Sequence, residues 1–193
     1  VCDDKDKGLA TPSVMNIYNG HITGSTVTGS GSTIQLYHTA KLNMYGGTVV
    51  GGTAGKASGA VAVSGGCTAI FQGGRVIGGT RSDGKELVHL LKNDGTYVSA
   101  YTSFSAALKA TQNKTDCYMR LVNDVTATDT VTGTLYLDLN GFSLEGISVT
   151  GTLYGVDTTT NGYNGDNAGR LVLASGEAAT QTAHNGRRYL ALQ

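Results

Sequence analysis

The chain has 193 residues, 39% of them hydrophobic, and its 14 Lys and Arg balance its 14 Asp and Glu. Charged residues make up 15%, well under the usual quarter, while Gly (29) and Thr (26) are abundant and Pro occurs once. This excludes a coiled coil and argues against disorder; the chain lacks the basic footprint of a nucleic-acid binder, and no apolar run approaches the ~18 residues of a membrane-spanning helix.

The chain opens Val1-Cys2-Asp3-Asp4, and Asp3, Asp4 and Asp6 read as a solvated run. From residue 14 a 27-residue period sets in. Asn19-Gly20, Gly46-Gly47 and Gly73-Gly74 mark it, and apolar columns keep step: Met15/Leu42/Ala69, Ile17/Met44/Phe71 and Ile22/Val49/Val76. Thr26, Thr53 and Thr80 follow, then Ile34/Val61/Val88 and Leu36/Val63/Leu90. Alternation of period 2 inside a longer repeat predicts short strands with one buried face each.

The register fails at Tyr101, where a glycine is due, after a hairpin-like Asn93-Asp94-Gly95 turn. Phe104, Ala107, Leu108 and Thr111 then fall at i, i+3, i+4 and i+7. They predict one amphipathic helix within 102–111, N-capped by Thr102 or Ser103. Beyond it the period is 18: Val131-Thr-Gly-Thr-Leu-Tyr136 recurs letter for letter as Val149-Thr-Gly-Thr-Leu-Tyr154. The columns Cys117/Leu135/Leu153/Leu171 and Met119/Leu137/Gly155/Leu173 are expected to face inward. Arg120 is expected over Asp138 as an outward cross-strand ion pair. The segment 157–167 is a polar loop, and the apolar close Tyr189–Gln193 suggests an excerpt of a longer polypeptide.

A unit of this kind cannot bury its apolar face alone; it needs copies above and below. Strands joined into coils ~4.8 Å apart give a β-solenoid, in which equivalent positions lie over one another. A β-sandwich is the other reading, but hairpin folds do not require fixed column periods. The expected organisation is therefore all-β. Residues 1–92 form a stack of 27-residue coils, and residues 93–193 form a helix-capped stack of ~18-residue coils.

The lines Leu42-Asn-Met-Tyr-Gly-Gly-Thr-Val-Val-Gly-Gly and Ala69-Ile-Phe-Gln-Gly-Gly-Arg-Val-Ile-Gly-Gly resemble repeats of large bacterial surface proteins. Segment 102–156 resembles another part of such proteins. The resemblance implies a right-handed parallel β-helix with a pectate-lyase-like fold, and an exported, adhesin-like or stalk-like role at the cell surface. The group shares no defined catalytic residues, so none is carried over, and no metal or cofactor is implied.

Pectate lyases and polygalacturonases share that fold, so a polysaccharide lyase or glycoside hydrolase is the alternative. Such sites need clustered carboxylates on one outer face. No acidic ladder forms here; Asn-Thr-Asp, Gly-His-Gly and Arg-Ile-Lys blocks are missing, and the one Asp-Asp pair is Asp3-Asp4 of the solvated opening run. The three cysteines show no metal-ligand spacing. Tyrosine is the more informative residue. If the apolar columns point inward, Tyr118, Tyr136 and Tyr154 point outward in one column, with Tyr18 and Tyr45 as a similar pair. Such a ladder either stabilises neighbouring coils or offers an aromatic strip to glycans or host surface proteins.

Overall fold

The structure, a computed structural model, describes residues 12–56, 59–158, 169–175, 179–184 and 187–192. It is built mostly of strands with one short helix, an all-β class. The first 27-residue repeat supplies β1 (Val14–Ile17), β2 (His21–Thr23), β3 (Thr26–Val27) and β4 (Ile34–Leu36). The second supplies β5 (Lys41–Met44), β6 (Thr48–Val50), β7 (Thr53–Ala54) and β8 (Val61–Val63). The third supplies β9 (Thr68–Phe71), β10 (Arg75–Ile77), β11 (Thr80–Arg81) and β12 (Gly84–Lys85).

Every one of these strands except β12 pairs in parallel with an equivalent strand one repeat away. Met15 lies against Leu42 and Leu42 against Ala69; Ile22 and Val76 both meet Val49. Thr53 pairs with Thr26 and Thr80, and Ile34 with Val61. The inward columns are buried at Ile17, Leu42, Met44, Val49, Ala69, Phe71 and Val76, as the alternation requires. The corners follow from glycine. Gly20, Gly47 and Gly74 have φ of +103°, +79° and +78°, a region costly for residues with a Cβ. A Cβ on Gly46 would lie 2.3 Å from the carbonyl oxygen of Tyr18 in the preceding repeat, so backbone occupies the space of a side chain.

The fourth column departs from expectation at the third repeat. Val88 and Leu90 do not continue Ile34/Val61 and Leu36/Val63. They lie on β13 (Val88–Lys92), antiparallel to β15 (Cys117–Leu121), with Val88 opposite Leu121 and Leu90 opposite Met119. The chain has already turned back, because β12 pairs antiparallel with β11. The buried Glu86 carboxylate then accepts from the backbone N–H groups of Ala60 (2.8 Å) and Gly79 (3.3 Å). Two alternating apolar residues suit any strand partner, so column spacing alone did not reveal this switch.

The chain divides into two compact units: Val1–Glu86 with Asp94–Tyr97, and Leu87–Asn93 with Val98–Gln193. In the first, segment 94–97 meets the edge of β9. Gly95 accepts from the Phe71 N–H at 2.9 Å, Ile70 bridges Thr96, and the Phe71 and Tyr97 rings meet edge to face.

The second unit adds β14 (Tyr97–Tyr101), α1 (Phe104–Thr111), β16 (Val125–Thr126), β17 (Thr130–Val131), β18 (Thr134–Asp138), β19 (Ser143–Val149) and β20 (Thr152–Val156). It ends with β21 (Arg170–Ser175), β22 (Ala179–His184) and β23 (Arg187–Leu192). Its largest sheet has the order β14-β13-β15-β18-β20-β23-β22. The 18-residue identity is realised there: Leu135 pairs with Leu153 and Tyr136 with Tyr154, in parallel. Met119 pairs with Leu137 and Arg120 with Asp138. A second sheet places β16 and β17 along β19, and one extra residue between β16 and β17 changes the offset from 19 (Val125 to Leu144) to 18 (Val131 to Val149).

The next step of the 18-residue column is corrected. Leu171 pairs with Leu144, and Leu173 with Ile147, rather than lying over Leu153 and Gly155. The other neighbour of Leu153 is Leu192, on the antiparallel β23. The polar segment 157–167 lengthens this repeat, so an offset of 27 replaces 18 between β19 and most of β21. Beyond Thr158 that segment lies outside the described residues.

The Ser103 hydroxyl caps α1 by accepting from the Ala106 N–H at 3.3 Å, and Phe104, Ala107, Leu108 and Thr111 form its buried face. The helix packs on β13 and β15. Just past it, Gln112 Oε1 accepts from the Thr132 N–H (3.1 Å), and Asn113 Oδ1 accepts from the Thr134 N–H (2.9 Å). One repeat later the N–H groups of Thr150 and Thr152 donate instead to the carbonyls of Val131 and Gly133. Side chains following the helix thus satisfy backbone amides for which no earlier repeat supplies acceptors.

Candidate functional site

Alternation in β1 and β5 sends Met15, Ile17, Leu42 and Met44 towards the core and leaves Asn16 and Asn43 on the opposite face. Tyr18 and Tyr45 follow at the corners, 70% and 43% exposed. Their rings stack with centroids 5.0 Å apart and planes 9° from parallel. That spacing is close to the ~4.8 Å between neighbouring strands, so the backbone register sets the ladder. The glycines behind the tyrosines hold it, since Gly46 passes against the Tyr18 carbonyl and Gly73 against that of Tyr45. The third repeat ends the aromatic column with the exposed Gln72.

The second tyrosine column is buried to different degrees. Tyr136 and Tyr154 stack at 4.8 Å and 11°, but Tyr136 is only 7% exposed and Tyr154 is half-buried. Burial pushes the Tyr136 phenol above its ordinary pKa, and Tyr154 beside it pushes the same way. Tyr118 is 1% exposed and does not join an accessible strip; the guanidinium of Arg120 lies 5.6 Å from its ring centre. The expectation of an outward solvent-facing column fails because both faces of β15 are buried. The side carrying Tyr118 and Arg120 is paired with the equally buried Leu91 and His89 of β13.

Arg120 and Asp138 form the expected ion pair, with Nε to Oδ2 at 2.8 Å, but inside the protein rather than at its surface. Both oxygens of Asp138 are saturated. Oδ2 accepts from Arg120 and the Thr158 hydroxyl, and Oδ1 from the N–H groups of Asn140 and Thr158. A carboxylate held by four donors and closed to solvent joins strands; it does not reach a substrate. Among the described residues no three His, Cys, Asp or Glu side chains gather as a metal site needs, and no helix is long and apolar enough to cross a membrane.

Of the five tyrosines singled out from the sequence, the structure therefore brings Tyr18 and Tyr45 together as an exposed pair. Sequence reasoning missed their companions: Asn43 Nδ2 donates to Asn16 Oδ1 at 2.9 Å, forming an amide ladder beside the aromatic one. The identity of residues 27 apart was its available signal. The chain matches no protein-family model, no curated protein and no solved structure.

Proposed function

We propose that this chain is a non-catalytic module of an exported bacterial surface protein, adhesin-like or stalk-like. In this reading it is a right-handed parallel β-helix that meets glycans or host surface proteins through Tyr18 and Tyr45. The 27-residue parallel register of three repeats and the 18-residue register of β15, β18 and β20 support the coiled architecture. Extracellular placement rests on the low charge, the abundance of Thr and Gly, and the resemblance to surface-protein repeats.

The observation that carries the binding role is the exposed stack of Tyr18 on Tyr45. Two large aromatic rings left 70% and 43% open present apolar surface and two hydroxyls at a fixed spacing. The test combines a glycan array with a reducing-sugar release assay. Wild-type protein is expected to retain a subset of glycans and release no reducing sugar. Tyr18→Ala/Tyr45→Ala is expected to lose retention while keeping the folded spectrum. Release of reducing sugar, or retention unchanged in the double variant, overturns the reading.

A further inference from the structure

We infer that the first 27-residue repeat is built as an end: its outer edge rejects a further repeat in the same register, whether from this chain or from a second copy. This rests on the parallel register of the repeats and is independent of any binding role of the tyrosines.

Where these repeats stack, the repeat before dictates glycine at particular corners. A Cβ on Gly46 or Gly73 would lie 2.3 Å from the carbonyl oxygen of Tyr18 or Tyr45. On Gly52 it would lie 2.1 Å from the Ser25 carbonyl oxygen, on Gly79 2.5 Å from that of Gly52, and on Gly55 2.2 Å from that of Thr28. None of these glycines has a positive φ, so their own conformation admits a side chain. Only the backbone of the preceding repeat forbids one.

The first repeat carries Asn19, Ser25 and Thr28 at the equivalent positions, all exposed. Each has the Cβ for which a stacked neighbour leaves no room, and no change of rotamer moves a Cβ. The substitution is one-sided. Gly24 and Gly51 face the repeat that follows; Cβ atoms there would lie 2.5 Å and 2.3 Å from the backbone nitrogens of Gly52 and Gly79. At that column the first repeat keeps its glycine. It also keeps Gly20, whose φ of +103° calls for glycine whatever lies beside it. Glycine is therefore present where the first repeat's own backbone or its following neighbour demands it, and replaced where only a preceding repeat would.

The stop is needed because this edge is otherwise inviting. β1, β2, β3 and β4 each lie at the end of their sheets among the described strands. Val27 is 37% exposed and Met15 and Ile22 are half-buried, whereas their equivalents Ala54, Leu42 and Val49 are buried. Open strand edges beside a part-open apolar core draw further strands. At the far side of the run β12 lies antiparallel on β11, and Thr96 bridges Ile70 of β9. The run of 27-residue repeats thus closes at three.

The test inserts one further repeat into the full chain, a copy of residues 41–67 marked by Lys41→Arg and Lys56→Arg at two exposed positions. One variant places it after Ala40, between two existing repeats; the other places it after Ser13, on the outer edge. Hydrogen exchange read by mass spectrometry follows the marked peptides. The interior copy is expected to be protected like the native second repeat, and the outer copy to exchange at least about a hundredfold faster. Asn19→Gly/Ser25→Gly/Thr28→Gly is expected to restore protection to the outer copy. Equal protection of the two copies without those substitutions overturns the inference, as does a protected interior copy with no rescue of the outer one by the three glycines. Rapid exchange of both copies refutes the stacking on which the inference rests, and leaves glycan retention by Tyr18 and Tyr45 to its own assay.

Discussion

Replacing Asp138 by Ala removes the acceptor of four hydrogen bonds at a fully buried position. Arg120, whose side chain is 5% exposed, then keeps a charge with no carboxylate at 2.8 Å and little water to replace it. Breaking a buried ion pair by removing one partner costs about 3–5 kcal/mol. Set against a total stability of about 5–15 kcal/mol, that is about a fifth or more of what holds a typical domain folded. At about 2–4 °C per kcal/mol for a chain of this length, the melting midpoint falls by roughly 6–20 °C. Thermal and urea unfolding followed by circular dichroism measure the loss. The reaction of Cys117, buried on the adjacent strand β15, reports on the same unit. Arg120→Met/Asp138→Leu removes both charges at once and is expected to recover most of the lost stability, giving a coupling of more than about 2 kcal/mol. A loss below about 1 kcal/mol for Asp138→Ala, or simple additivity in the double variant, refutes the account of the pair as a buried, saturated strand clasp.

Three further outcomes are expected. Gly46→Ala forces a Cβ to within 2.3 Å of the Tyr18 carbonyl, and backbone cannot swing aside as a side chain can. A loss of about 1–3 kcal/mol is expected by denaturant unfolding, and a neutral substitution contradicts the 27-residue stacking. The Tyr136 phenol has a folded pKa raised above its ordinary value by burial, so its contribution is complete below the unfolded pKa of about 10 and is lost as pH rises through the folded value. Melting midpoints measured from pH 8 to 12 are expected to fall less steeply for Tyr136→Phe than for wild type, and parallel curves refute the assignment. Burial also raises the Cys117 thiol, with Asp116 adding to the shift and Lys114 opposing it. Iodoacetamide at pH 7.5, followed by peptide mass mapping, is therefore expected to label the half-buried Cys67 before Cys117; the reverse order contradicts the packing of β15.

The sequence by itself determined which residues lie over one another wherever repeats are uninterrupted. Met15 over Leu42 over Ala69, and Leu135 over Leu153, follow from translation by one period, and the two-residue alternation decides the side of the sheet. The helix was legible for a similar reason: Phe104, Ala107, Leu108 and Thr111 are local, and a capping serine precedes them. Tertiary structure decided everything that depends on what arrives from elsewhere. Val88 and Leu90 satisfy the column pattern, yet pair antiparallel with Leu121 and Met119, because an apolar alternation does not name its partner strand. Leu171 lies beside Leu144 because intervening residues lengthen the repeat. Tyr18 and Tyr118 both follow the outward alternation, but one is 70% open and the other 1%. Periodicity assigns a side chain to a face; only packed neighbours determine whether that face meets water.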